Sequence, residues 1–244
     1  MLGFPEPRNP IQGLWLSGQI EKNGNSVTKF KEGQEIYARS KDLKFGANAE
    51  YICLPETAMI SVKPRNLSFE EAVSLPFGGL TALYFLRKSK IKPDDKILIY
   101  GASGSVGSSA VQLAKHTGAK VTAVCSTENI DWVNGLGADN TIDYKKEKFA
   151  DCGKHFDIVF DAVGYFSKSE AIKILKPDGR FISVISSGHA KLNPGELNYL
   201  TELAEKGHLK PVVDRCFPFE GVKEAHRYVD LGHKKGNVVL RVNE

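Results

Sequence analysis

The run GASGSVG, Gly101 to Gly107, constrains this chain more than any other feature, because it lies between an apolar run, KILIY, and a helix-like segment, SSAVQLAKH. A glycine-rich turn in that context is what a phosphate-binding site requires. Gly101 permits a tight turn, Gly104 lets a pyrophosphate approach the backbone without a Cβ in the way, and Gly107 lets the helix pack closely on the strand. Amides around Ser103 to Val106, at the positive end of the helix dipole, would face the phosphates. Taken alone, three glycines could equally make a plain strand-to-helix turn, and the spacing is GxxGxxG instead of the commoner GxGxxG.

The flanking pattern favours the phosphate site. From Lys96 to about Ile185 apolar runs alternate with helical segments, which predicts a parallel sheet with crossover helices. The expected strands are Lys96–Tyr100, Lys120–Cys125, Asn140–Ile142, Phe156–Asp161 and Arg180–Ile185, rich in β-branched and aromatic residues. Before this unit, Pro10 to about Lys63 reads as short extended pieces, with turn signals at Lys22-Asn23-Gly24-Asn25 and Glu32-Gly33. Ser68 and Glu71 form a capping box that opens a helix, Pro76 is expected to interrupt it, and the helical spacing resumes to about Lys88.

The end of the second strand selects the cofactor. An NAD site usually places a carboxylate there for the ribose hydroxyls, whereas this chain has Cys125-Ser126-Thr127. Small hydroxyls leave room for a 2′-phosphate, so NADP(H) is favoured over NAD(H). Glu128 weighs against this, and no arginine stands nearby in the segment to clamp a phosphate.

Several function classes drop out. Of the 244 residues 41% are hydrophobic, and the net charge of +4 is spread over lysines alternating with acids, as in KPDDK and DYKKEK, which argues against a nucleic-acid patch. Cys53, Cys125, Cys152 and Cys216 form no CxxC pair, and no metal site is expected. The six histidines are scattered, none beside a second metal ligand in the reading of the sequence. No run approaches a membrane span, so a cytoplasmic location is the default expectation. Tyr144 and Lys148 have YxxxK spacing but follow the third strand, too early to flank a nicotinamide. No GxSxG nucleophile turn occurs, and a methyltransferase with a similar sheet is a remote alternative.

Stretches in order along the chain, among them NPIQG at Asn9, FGANAEYICLPE at Phe45, LSFEEAVSLPFGGLTAL at Leu67, ILIYGASGSVG at Ile97, LGADNTIDY at Leu136, FDIVFDAVG at Phe156 and LKPDGRFISV at Leu175, resemble the zinc-independent quinone oxidoreductase branch of the medium-chain dehydrogenase/reductase superfamily. The resemblance implies an α/β fold: a Rossmann doubly wound parallel sheet plus a partial GroES-like β-barrel domain. It divides the chain into a partial GroES-like domain (1–66), a helical linker (67–95), a Rossmann domain (96–210) and a C-terminal segment returning to the β domain (211–244). It implies NADPH in the cleft, a quinone or α,β-unsaturated carbonyl as the small-molecule substrate, and a homodimer. Residue by residue, Ser103, Gly104, Ser105 and Val106 would meet the pyrophosphate, Ser126 and Tyr144 the adenosine end, and Val163 and Ser186 the nicotinamide side, with Thr81 reaching in from the linker.

Three departures qualify the resemblance. Where zinc-dependent relatives carry a GHE motif this chain has Gly13-Leu14-Trp15, and the tryptophan replaces the acidic residue usual in the quinone branch. The chain opens where family members are already well into the barrel. After Gly188 the segment His189 to Pro194 runs into a helix where family members place a further strand. A cofactor-binding protein or fragment without catalytic activity is therefore the alternative expectation, and no catalytic residue is assigned.

Overall fold

The computed structural model describes residues 10–40, 45–147, 155–165 and 167–242. Asn9, Lys148 and Cys152 lie outside the described residues.

The centre is a five-stranded parallel sheet of β4 (Lys96–Tyr100), β5 (Lys120–Cys125), β6 (Asn140–Asp143), β7 (Phe156–Asp161) and β8 (Leu175–Ser183), in the order β6-β5-β4-β7-β8. Ile97, Leu98 and Ile99 of β4 are wholly buried, as a central strand covered on both faces must be. α1 (Phe69–Lys88), α2 (Ser105–His116), α3 (Ile130–Gly135) and α5 (Pro194–Glu205) contribute to the larger core on one face, and α4 (Lys168–Ile174) to the smaller core on the other. This is the doubly wound α/β class expected. The sequence of strands reverses direction at β4, so a crevice opens beyond the carboxyl ends of β4 and β7.

Two boundaries differ from expectation. β8 starts at Leu175 and ends at Ser183 because its first residue already pairs with Phe156, after which the register jumps so that Arg180 faces Ile158. Ser183 then closes a turn, with Ser187 Oγ accepting from its N–H and its C=O accepting from the Ser187 N–H. The sheet gains no further strand after Gly188: α5 follows, capped by the Asn193 side chain.

Pro76 does not interrupt α1, which is continuous over 20 residues. An interior proline costs ~3 kcal/mol. Against that, Leu75, Leu80, Leu83, Phe85 and Leu86 are buried along the same helix, each stabilising by roughly 1.5–3 kcal/mol. The capping box at Ser68 forms as expected: Ser68 Oγ accepts from the Glu71 N–H and Glu71 Oε2 accepts from the Ser68 N–H.

Before α1 stands an antiparallel sheet of β1 (Trp15–Gln19), β2 (Glu35–Arg39) and β3 (Ile60–Val62). The two anticipated turns are present, closed by Val27 N–H on Gly24 C=O and Gln34 N–H on Lys31 C=O. Polar groups attach this sheet to the helices. Buried Tyr37 donates to the Leu197 carbonyl at 2.8 Å, Ser61 donates to Asn198 Oδ1 at 2.8 Å, and Ser17 donates to the Phe69 carbonyl at 2.6 Å. After α5, β9 (Val213–Pro218) and β10 (Asn237–Arg241) pair in parallel around α6 (Val222–Asp230), and Arg241 bonds Glu70 on α1.

The structure also corrects one expectation about histidines. His116, at the end of α2, lies against His208, with ring centroids 4.6 Å apart. Ninety-two residues of sequence concealed this pair, although among the described residues no group of three or more potential metal ligands assembles.

Candidate functional site: a dinucleotide cleft

β4 delivers the chain to the glycine turn at the carboxyl edge of the sheet. Gly101 has φ +75°, and a Cβ there would lie 2.2 Å from Val163 Cγ2. A Cβ at Gly107 would lie 2.1 Å from the Gly101 carbonyl oxygen, so α2 can start where it does only with glycine at that position. At Gly104, by contrast, the nearest atom to an added Cβ is 3.5 Å away. On its Cβ side Gly104 borders the cleft, while its backbone pairs with Gly236 in an isolated parallel bridge.

Gly104 is the N-cap of α2, no side chain caps the helix, and its first turn carries no acidic residue. An uncapped, acid-free helix N-terminus favours an anion. The turn is itself braced: the Gly101 and Ala102 amides donate to the Val124 carbonyl, and Gly104 donates to the Gly101 carbonyl.

A cleft of about 520 Å³ runs from this turn between the ends of β4, β7 and β8 and α1. Of the expected residues it gathers Thr81, Gly104, Ser105, Val106 and Val163, together with Phe77, His189 and Lys234. Thr81 points its hydroxyl back to the Phe77 carbonyl, 2.7 Å away. Ser103 stands beside the cleft, its carbonyl accepting from the Gly236 N–H. Ser186 is exposed in the turn after β8 and is not among the cleft's walls, where Val184 stands instead. The turn after β7 is pinned by buried Asp161, whose Oδ1 accepts from the amides of Val163 and Gly164.

Ser126 and Tyr144 lie at the other end, beyond β5. Ser126 is buried and its Oγ accepts from Asn129 Nδ2 at 2.9 Å. Tyr144 is half exposed, its ring centroid 6.3 Å from that of Tyr100. Tyr100 in turn stacks on Tyr165 at 5.0 Å, and burial pushes its phenol up to about 12. In the sheet order β6-β5-β4-β7-β8 these two groups stand on opposite sides of the glycine turn.

Two cations escaped the sequence reading. Lys234 Nζ lies 3.0 Å from Ser105 Oγ and 2.5 Å from the Gly236 carbonyl, directly at the glycine turn. Burial lowers its pKa, with Asp214 working in the opposite direction, so a bound anion would relieve an ammonium short of solvent. The signal available was the run GHKKGN, two lysines between glycines of positive φ, Gly232 and Gly236. Lys145, one residue beyond Tyr144, reaches Glu128 at 2.5 Å. Sequence distance hid both.

Trp15 is accounted for by packing. Its ring lies against the larger core with the Arg39 guanidinium 5.7 Å from the centroid.

Comparison with known proteins gives a consistent family. Residues 136–240 match the family model described as zinc-binding dehydrogenase. The chain is 35% identical over 251 residues to the chloroplastic NADPH-dependent alkenal/one oxidoreductase of Arabidopsis thaliana, covering 96% of this chain and 64% of that protein. It is 32% identical to the chloroplastic quinone-oxidoreductase of Triphysaria versicolor, covering 92% of this chain and 78% of the relative. The quinone oxidoreductase structure from Coxiella burnetii superposes with a TM-score of 0.85 at 29% identity, over 95% of this chain and 79% of that one. The sheet order, the glycine turn and these likenesses agree: the chain belongs to the zinc-binding dehydrogenase family of the medium-chain dehydrogenase/reductase superfamily.

Proposed function

We propose that this chain binds NADPH in the cleft and passes hydride to a quinone or an α,β-unsaturated carbonyl without a zinc ion. The observation that carries the reading is the N-terminus of α2 at Gly104, which no side chain caps, which lines the cleft and which Lys234 flanks. The fit is that of an anion cradle: Gly101 and Gly107 tolerate no side chain, Gly104 lines the cleft, and a partly desolvated ammonium stands beside them.

In this reading Ser103, Gly104, Ser105 and Val106 hold the pyrophosphate, Ser126 and Tyr144 the adenosine end, and Thr81, Val163 and Ser186 the nicotinamide side. The bound cofactor supplies the hydride. The chain's own residues position it: Asp161 fixes the loop bearing Val163, and Thr81 presents a hydroxyl oxygen from α1. An enone or quinone needs only a polarised oxygen and a proton from a side chain or water, so metal ligands are not required. Gly13-Leu14-Trp15, in place of a GHE motif, agrees with that.

The reading carries further assignments. The residues 1–66 and 211–244 form the β portion, 67–95 the helical linker and 96–210 the dinucleotide-binding unit. The assembly is a homodimer, and the compartment is the reducing cytoplasm, in keeping with the free thiols of Cys53, Cys125 and Cys216. No described helix is long and apolar enough to cross a membrane.

The test is NADPH oxidation by purified, folded protein against a panel of quinones and enones. Turnover that depends on both cofactor and acceptor supports the reading. NADPH binding without turnover on any member of the panel would leave a cofactor-binding protein in its place.

A further inference from the structure

At the carboxyl end of β5 a hydrogen-bonded chain ends on Ser126, beside the turn that carries the Glu128 carboxylate. Trp132 Nε1 donates to Asn129 Oδ1 at 2.9 Å, and Asn129 Nδ2 donates to Ser126 Oγ at 2.9 Å. The Ser126 hydroxyl, held by that bond, stands two residues before Glu128 in the same turn and keeps its own proton to give. From the other side Lys145 Nζ reaches Glu128 Oε1 at 2.5 Å.

Lys145 is held in place from below. Buried Asp143, the last residue of β6, accepts from Thr127 Oγ1 at 2.5 Å and from the Lys145 amide at 3.0 Å, which ties the Tyr144–Lys145 turn to the turn after β5. The arrangement therefore brings a buried hydroxyl, that of Ser126, and an ammonium, that of Lys145, to the one turn that carries the Glu128 carboxylate, with the ammonium bonded to it. Glu128 itself is 62% exposed and belongs to a short 3₁₀ turn, so its side chain is free to leave towards solvent, whereas Ser126 is buried.

We propose that Glu128 is an internal stand-in for the 2′-phosphate of an adenine nucleotide: its carboxylate occupies the Ser126–Lys145 anion site in the free chain, and a 2′-phosphate displaces it. The pair then sets cofactor choice. A nucleotide with a 2′-phosphate takes both donors but must expel Glu128, and a nucleotide with a free 2′-hydroxyl leaves Glu128 in place to accept from the ribose, as an acidic residue does at this point in NAD sites. The preference for NADP(H) is thereby moderated, and its two determinants are separable by substitution. Electrostatics agree: the Lys145 ammonium, foremost, with the amide of Glu128's own turn and the Ser126 hydroxyl, holds the Glu128 carboxyl down to about 2.

This inference rests on the dinucleotide reading of the cleft, and its test uses the adenosine half alone. Binding of adenosine 2′,5′-bisphosphate and of 5′-AMP is measured by calorimetry on the wild-type chain, Lys145→Met and Glu128→Gln, with thermal unfolding as the folding control. Lys145→Met should weaken the bisphosphate about tenfold, a charged contact's worth, and leave 5′-AMP within about twofold. Glu128→Gln should tighten the bisphosphate by about fivefold and leave 5′-AMP unchanged or weaker. Equal shifts for the two ligands, or no shift in either variant, would overturn the stand-in while the dinucleotide reading survives. Failure of the folded wild-type chain to bind either nucleotide would overturn both.

Discussion

The central parallel sheet and the small antiparallel sheet are held by different physics. In β4 three consecutive residues are wholly buried, and α1, α2 and α5 meet that face through a continuous apolar core. In β1 every residue but the last is half buried, and in β2 burial is complete only at Tyr37 and Ala38. The small sheet meets the helices partly through Trp15 and Tyr37 on the larger core and partly through the hydroxyls of Ser17, Tyr37 and Ser61. Burial on two faces leaves little tolerance for changed shape, whereas attachment through single hydrogen bonds distributes the cost in steps of about 1 kcal/mol.

Substitutions should separate the two regimes. The largest loss is expected from Gly107→Val, because even its Cβ would sit 2.1 Å from the Gly101 carbonyl oxygen. A destabilisation of about 3 kcal/mol or more is expected in urea unfolding, and cofactor binding should disappear with the turn geometry. A small shift in the urea midpoint would show that the turn rearranges cheaply, contrary to the close packing described.

Tyr37→Phe should cost about 1 kcal/mol, since it removes the phenol from the Leu197 carbonyl and the Thr201 hydroxyl, which keep each other and Ser61 as partners. It should also flatten the alkaline limb of stability. Burial raises the Tyr37 phenol from 10.0 to about 12, so the fold favours the neutral form. That contribution is complete below pH 10 and lost as pH rises towards 12. Tyr100 and Cys125, raised to about 12 and about 11, titrate in the same region, so the variant should lose part of the slope and keep the rest. An unchanged slope would remove Tyr37 from the account of how the small sheet is anchored.

Lys234→Met should weaken NADPH and NADH alike, by about tenfold, because Lys234 lies at the turn proposed to meet the pyrophosphate common to both. A loss confined to NADPH would place Lys234 at the wrong end of the cofactor. Ser68→Ala, which removes the cap of α1, should cost about 1 kcal/mol. Thermal unfolding measures it, and an unchanged midpoint would mean that α1 is held by burial alone.

The same contrast explains how far the fold could be read beforehand. KILIY, KVTAVC and FDIVFD are uninterrupted apolar runs between helical segments, and β4, β5 and β7 have the bounds those runs indicate. The pieces before Ser68 are short and mixed in polarity, and only their turns were placed. Pro76 misled because local preference says nothing of the burial that outweighs it, and β8 misled because its start is set by a register jump against Phe156.

At the site, the glycine turn was legible because strand, turn and helix are contiguous. Thr81 and Val163 were named through resemblance, and the structure brings both to the cleft. Lys234 and the Glu128–Lys145 pair depend on segments apart in sequence that meet only when the sheet closes. Spacing could not reveal them. Ser186, expected at the nicotinamide side, is the named residue for which the cleft offers least support.

The most direct measurement is a titration of the purified, folded chain with NADPH and with NADH, following nicotinamide fluorescence and the shift in thermal unfolding, since a ligand of the native state raises stability by mass action. Saturable binding of both, tighter for NADPH, with each weakened alike by Lys234→Met, is the predicted result. A folded chain that binds neither cofactor would contradict the assignment of the Gly101–Gly107 turn as a dinucleotide site.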